Sequence, residues 1–367
     1  MNKSITFSAS DTFKLLYVIA MFMVIDGHIG SYDYLDFNGF FKYQNYHISL
    51  FMFTSGYFFN LSRSYKEFFV RKFSHLIIPL YIWNLLYGVL CYVLNNYFDF
   101  QIGEKLSFYN LLYAPIIDGH QFIFNMASWF LVPLFFVQLI SFLCLKPLNY
   151  KYKDLIFFVS TLILSCLLLP YANKNNGEAS LLLLMFRCVY FLPIFSFGFI
   201  FKNYIEKYDF KINSVVYFLL IFSILTAIYI NFPNYNHTPS WLNDIHVNPI
   251  VIYVVCFLSI LFWTRIAKIF TPILSASKCL KTISNNTFNL MMHHFVGFTI
   301  VKSLISNFNE FDWYRYKTDI WYYFFPYSEF YFAWIYIAIT IVIAILIGFT
   351  SKKICDTIKF ILIKIRY

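Results

Sequence analysis

Ten apolar stretches punctuate the chain, and polar and charged residues gather between them. They fall near 13–29, 46–62, 76–98, 127–145, 154–171, 181–201, 214–231, 247–263, 286–305 and 330–350. Each is long enough to approach the ~30 Å that a helix must cross in a bilayer. The pattern predicts an all-α integral membrane protein, a bundle of about ten transmembrane helices forming one membrane-embedded domain over residues 1–367. The first, second and fifth stretches are short, which calls for little tilt or local thinning of the bilayer.

Positive charge predicts the orientation. One set of connections carries Arg63, Lys66, Arg71 and Lys72, then Lys146, Lys151 and Lys153, then Lys202, Lys207 and Lys211, then Arg265, Lys268, Lys278 and Lys281. The C-terminal tail adds Lys352, Lys353, Lys359, Lys364 and Arg366 to it. The alternate set holds the acids Asp33, Asp36, Asp99, Glu104, Asp118, Asp244, Glu310, Asp312 and Asp319. The expected arrangement is therefore a multi-pass protein of the inner or plasma membrane with both termini in the cytoplasm. Two outer stretches, GHQFIFNMASWF at 119–130 and DIWYYFFPY at 319–327, are expected to fold back toward the membrane.

Composition agrees. Of 367 residues, 60% are hydrophobic and 13% charged, against about a quarter charged in soluble domains. The net charge of +10 is spread through the basic connections rather than along a stripe with exposed aromatics, so the lipid bilayer and not nucleic acid is the expected partner. Seven cysteines lie singly, without C-x-x-C, so neither a zinc knuckle nor a disulfide framework is indicated. Asp26, and the lack of a small-x-small cleavage site, predict that the first stretch is a retained helix rather than a signal peptide.

That first helix carries unexpected chemistry. Lys14 and His28 are 14 positions apart, which places them within about 40° of each other around the axis and about 21 Å apart along it. Asp11 lies one turn before Lys14, whereas Asp26 projects roughly 120° away from it. Asp11, Lys14 and His28 thus form one polar line, and ionisable groups inside a membrane mark functional sites by default. Snorkelling of Lys14 and an interfacial place for His28 are the structural alternatives. An imidazole is the side chain best suited to accept a proton near neutral pH. His293 and His294 are adjacent and point about 100° apart on a helix, so they do not share a metal easily, and no metal site is expected.

The motifs around these residues resemble the acyltransferase-3 family of integral membrane acyltransferases, which includes O-acetylases of sugars and surface polysaccharides. DTFK at 11–14 followed by GH at 27–28 resembles the family's opening, with Leu15 where a glycine is usual. LFMFTSGYF at 50–58 is similar to its second helix, and VRKFSHLIIP at 70–79 to its basic stretch, with Lys72 and His75 in place of the usual arginine pair. SWFL at 128–131, FSFGFIFK at 195–202 and NTFNLMMHH at 286–294 complete the series, with Ser128 at a polar position and His294 in the histidine slot. The resemblance implies acyl transfer, most simply acetyl, from cytosolic acyl-CoA (acetyl-CoA) to a hydroxyl of a surface carbohydrate or its lipid-linked precursor. His28 would be the general base, with Lys14 and Asp11 beside it, and Arg71 and Lys72 would bind the coenzyme A phosphates. His120, Ser128, Trp129 and His294 are candidates for substrate contact. A glycolipid flippase or transporter without chemistry is the alternative, against which stands the lack of an inverted-repeat pattern.

Overall fold

The computed structural model describes residues 9–29, 42–172, 180–233, 235–242, 245, 247–305, 312–318 and 330–365. The acidic positions Asp33, Asp36, Asp244, Glu310 and Asp319, the stretch 319–327 and Arg366 lie outside them. Among the described residues the secondary structure is helical, without strands.

The chain begins with α1 (Ala9–Ile29), which has Asp11 in its first turn and His28 in its last, the charge order that suits a helix dipole. The short α2 (His47–Tyr57) follows. Ser64 caps α3 (Tyr65–Lys72) by accepting a bond from the Glu67 backbone N–H, at 3.2 Å, the signature of a Ser-x-x-Glu helix start. A π-helical turn at Phe73–Ile77 then carries the chain into α4 (Ile78–Tyr97), whose Pro79 sits in the first turn where its missing N–H costs nothing. Next come α5 (Ala114–Ile117), a 3₁₀ stretch at Ile123–Phe130, and α6 (Leu131–Leu145). The second half holds α7 (Lys153–Ala172), α8 (Leu181–Ile200), α9 (Glu206–Asp209), α10 (Ser214–Asn231) and α11 (Pro249–Leu274). It ends with α12 (Lys278–Asn285), α13 (Thr287–Ile305), α14 (Trp313–Thr318) and α15 (Phe330–Ile365).

Among the described residues, eight helical stretches are long and apolar enough to cross a membrane, and two of the ten expected spans are not among them. The helix α2 has 11 residues, about 17 Å of rise, well short of a ~30 Å core. In α13 the apolar run is interrupted by Asn289, His293, His294 and Lys302. Both are interior: α2 lies against α8, and α13 against α15 and α1. The helices α7 and α10, by contrast, are mostly exposed in this chain, as lipid-facing helices would be.

Small residues set the closest approach. Gly56 of α2 and Gly198 of α8 abut, and a Cβ on either would collide with backbone of the other helix, at the Phe195 or the Phe53 carbonyl. Backbone contact of this kind is how helices associate tightly without a hydrophobic driving force. The helix α11 runs past residue 263, where the apolar run ends, to Leu274. It does so because Arg265 and Lys268, expected in a connecting loop, are matched inside the protein: Arg265 reaches Asp209 at 3.0 Å, and Lys268 reaches Asp209 and Glu206 at 3.1 Å each. Tyr57 donates to Glu206 at 2.7 Å and ties α2 into the same network. The stretch at 119–130 does fold inward, since residues 121–130 are buried except for half-buried Met126.

Candidate active site

One face of α1 opens on a cavity of about 600 Å³, within the usual size of a small-molecule site. Lys14, Tyr17, Met21, Val24 and His28 line it at successive three- and four-residue steps, the spacing of a single helix face. Lys14 is held at 3.3 Å from Asp11, which keeps the cation at one end of that line. Around this end stand Ser55, Ser284 and Thr287; around the other stand His47, Trp129 and residues 236–240. Asp26 does not face the cavity. It is buried, and its carboxylate accepts a 2.8 Å bond from the Tyr43 hydroxyl.

His28 meets His294 across the α1–α13 contact. Their rings stack at 25° with centroids 5.1 Å apart, and His28 Nδ1 lies 3.1 Å from His294 Nε2. The tautomers follow from the outer partner. His294 Nδ1 is 2.8 Å from the Leu290 carbonyl, which can only accept, so that nitrogen carries the proton. In the neutral pair His294 Nε2 is then a lone pair and must accept from His28 Nδ1–H. What remains on His28 is an unprotonated Nε2, the form a general base requires. His293, rotated by one residue, turns the other way: its Nδ1 is 2.6 Å from the Tyr87 hydroxyl and its ring packs edge-on against Trp83 at 4.3 Å. Among the described residues no group of three or more His, Cys, Asp or Glu is gathered to hold a metal.

The remaining sequence candidates divide. Trp129 lines the cavity. Ser128 beside it is buried and spends its hydroxyl on the Asn125 carbonyl at 2.7 Å, away from the cavity. His120 does not line it either. It bonds Asp118 at 3.0 Å and stacks on Trp241 at 4.5 Å, behind the wall that Trp129 presents. Burial pushes His120 below the ordinary histidine range and so favours the neutral ring, an effect that its bond to Asp118 only partly offsets. Arg71 and Lys72 also lie off the cavity. Arg71 is exposed, and Lys72 rests its ammonium 5.8 Å from the Phe68 ring; the contact from their segment is made by Leu76.

Three features were not anticipated from the sequence. His47 opens α2 facing the cavity, its Nδ1 at 2.9 Å from the Tyr43 carbonyl. An imidazole at the end of an apolar helix marks His47 in the sequence as it marks His28. Residues 236–240, NHTPS, come from a long connection with no periodicity to mark them. Arg187, buried in α8, stacks its guanidinium on Trp129 at 4.8 Å. A basic residue inside a strongly apolar run is the sequence signal that marks it.

A family model described as an acyltransferase domain, that of the acyltransferase-3 family, matches residues 13–349. No curated protein and no solved structure matches the chain. The matched region contains every residue that lines the cavity. The chain therefore belongs to the acyltransferase-3 family and is a multi-pass membrane acyltransferase.

Proposed function

We propose that the protein moves an acetyl group from cytosolic acetyl-CoA to a carbohydrate hydroxyl, with His28 as general base. The observation that carries this reading is one cavity lined by Lys14 at one end and His28 at the other. A multiply anionic donor suits a cation at the mouth, and the roughly 21 Å along α1 between the two residues suits an extended pantetheine arm. Ser284 and Thr287 add hydroxyls at the Lys14 end, and Tyr17, Met21 and Val24 give the arm a largely apolar track. Arg71 and Lys72 sit one turn or so before Leu76, where their charge draws the donor toward the mouth without touching the thioester.

In the reaction, the acceptor hydroxyl gives its proton to His28 Nε2 while its oxygen attacks the thioester carbonyl carbon. The C–S bond then breaks, its electron pair goes to sulfur, and the imidazolium returns the proton to the leaving thiolate. Atoms and charge balance without a further reactant. His294 contributes by accepting from His28 Nδ1–H throughout, so the ring keeps its working tautomer as it becomes cationic. With the Lys14 end in the cytoplasm, as the basic connections predict, the acceptor arrives from the opposite face at the surface polysaccharide or its lipid-linked precursor.

Membranes containing the protein, incubated with radiolabelled acetyl-CoA and the host's envelope polysaccharide, test the reading. Label in the polysaccharide supports it. Movement of glycolipid across the membrane with no acetyl label in any carbohydrate favours the carrier reading and overturns acyl transfer.

A further inference from the structure

The connection between α10 and α11 runs over residues 232–248, and long connections in compact proteins are commonly functional. Five consecutive residues of it, 236–240, line the cavity beside His28. The segment is fixed from several sides. The His237 backbone N–H donates to Asn45 at 3.2 Å, and its ring is held between the hydroxyls of Tyr190 at 2.9 Å and Tyr235 at 3.2 Å. Leu242 closes the turn by donating its N–H to the Thr238 carbonyl at 2.8 Å. It does so at φ 54°, a left-handed conformation that a leucine keeps only when its surroundings impose it.

Arg187 stands behind this wall. Its Nε donates to the Ser240 carbonyl at 2.7 Å and its Nη1 to the Asp118 carbonyl at 2.9 Å, while its plane lies on Trp129. One guanidinium thus sets the loop, the His120 segment and the cavity's tryptophan relative to each other. Among the described residues, no formally charged side chain lines this end: Arg187 stands behind the wall, where its charge interacts with the Asp118 carboxylate. Lys14, at the far end, is the one charged side chain among the described residues that line the cavity.

Resting on the acyl-transfer reading above, we infer that residues 236–240 and Trp129 form the acceptor-recognition wall, and that it is built for an uncharged, hydroxyl-rich sugar face. The Asn236 amide and Ser240 hydroxyl supply directional hydrogen bonds, and Trp129 supplies a flat apolar face for the ring. A carboxylate or phosphate on the bound sugar unit would lose its water and touch no charged side chain, because Arg187 is screened by Ser240 and Trp129 and faces the Asp118 carboxylate, a net penalty. Arg187 is a positioning residue: it reaches the acceptor only through Ser240 and Trp129.

The test uses the full chain in nanodiscs and reads binding apart from catalysis. Saturation-transfer NMR is recorded with a panel of methyl hexosides, 6-deoxyhexosides and N-acetylhexosaminides, and with the matching methyl uronosides. At least one neutral glycoside should bind, no uronoside should bind within tenfold of it, and Asn236→Ala with Ser240→Ala should weaken that binding about tenfold, the loss of two ordinary hydrogen bonds. Arg187→Gln should raise the acceptor KM by a similar factor and move the acetyl-CoA KM less than twofold, a split that general misfolding would not produce. Equal binding of uronosides, no neutral ligand in the panel, or a double variant that binds as wild type overturns the proposal. Neutral binding without any acetyl transfer by the wild-type protein supports the wall and overturns the acyl-transfer reading alone.

Discussion

Replacing His294 by phenylalanine asks whether the tautomer of His28 is set from outside. Phenylalanine keeps the ring packing against Phe295 and Phe298, which lie 4.3 and 5.6 Å from the imidazole, and removes only the two nitrogens. His28 then loses its 3.1 Å partner and keeps the bond to the Val24 carbonyl of its own helix. In the ground state the lost bond is one between neutral rings, about 0.5–1.5 kcal/mol net. At the transition state His28 is becoming an imidazolium, and the same bond is charge-assisted, about 1.5–3 kcal/mol. Only the difference, about 1–1.5 kcal/mol, acts on the chemical step, and since each 1.4 kcal/mol is about tenfold in rate, kcat should fall about 5- to 12-fold. The KM for either substrate should change less than threefold, because His294 is not among the residues lining the cavity. His294→Gln, which retains a carbonyl acceptor, should recover part of the loss. Steady-state acetyl transfer in membranes of matched protein content measures all of this. An unchanged kcat in His294→Phe refutes the relay, and a loss shared equally by kcat and both KM values assigns His294 to folding instead.

Lys14→Met should raise the acetyl-CoA KM about tenfold or more, whereas Arg71→Gln with Lys72→Gln should raise it only a few-fold and mainly at low ionic strength; titrating donor at two salt concentrations separates them. Gly198→Ala should abolish the monodisperse folded species in detergent, because the new Cβ meets the backbone of α2 at Phe53 and Tyr57 rather than a side chain that can yield. Normal chromatography of that variant contradicts the packing described for α2 and α8. Tyr43→Phe should lower the melting temperature, by removing a donor from buried Asp26 worth about 1–3 kcal/mol, while altering acetyl transfer less than threefold.

Most of the membrane helices were legible from apolar run length, because it follows from local chemistry. The first-helix wheel placed Lys14 and His28 on one face and Asp26 off it, and the cavity lies along that face. What pattern could not show were effects of distant partners. Charge neutralisation by Asp209 and Glu206 is what lets α11 absorb Arg265 and Lys268, and α9 is far from α11 in sequence. The short α2 read as a full span because residues 58–62 continue the apolar run, yet the helix stops at Tyr57. Arg71 and Lys72 were selected by a motif, which fixes their order along the chain but not their distance from the cavity. The wall at 236–240 has neither periodicity nor charge, so its role comes only from what folds around it.

The central claim is that His28 moves the proton. In the same membranes and with the same labelled acetyl-CoA, His28→Ala should lose about 10²–10⁴-fold in transfer to polysaccharide, the usual contribution of a general base, with insertion and expression intact. Asp26→Asn, off the cavity and engaged with Tyr43, should retain transfer within an order of magnitude. Near-normal transfer by His28→Ala contradicts the mechanism, and loss in Asp26→Asn beside it moves the base to the carboxylate.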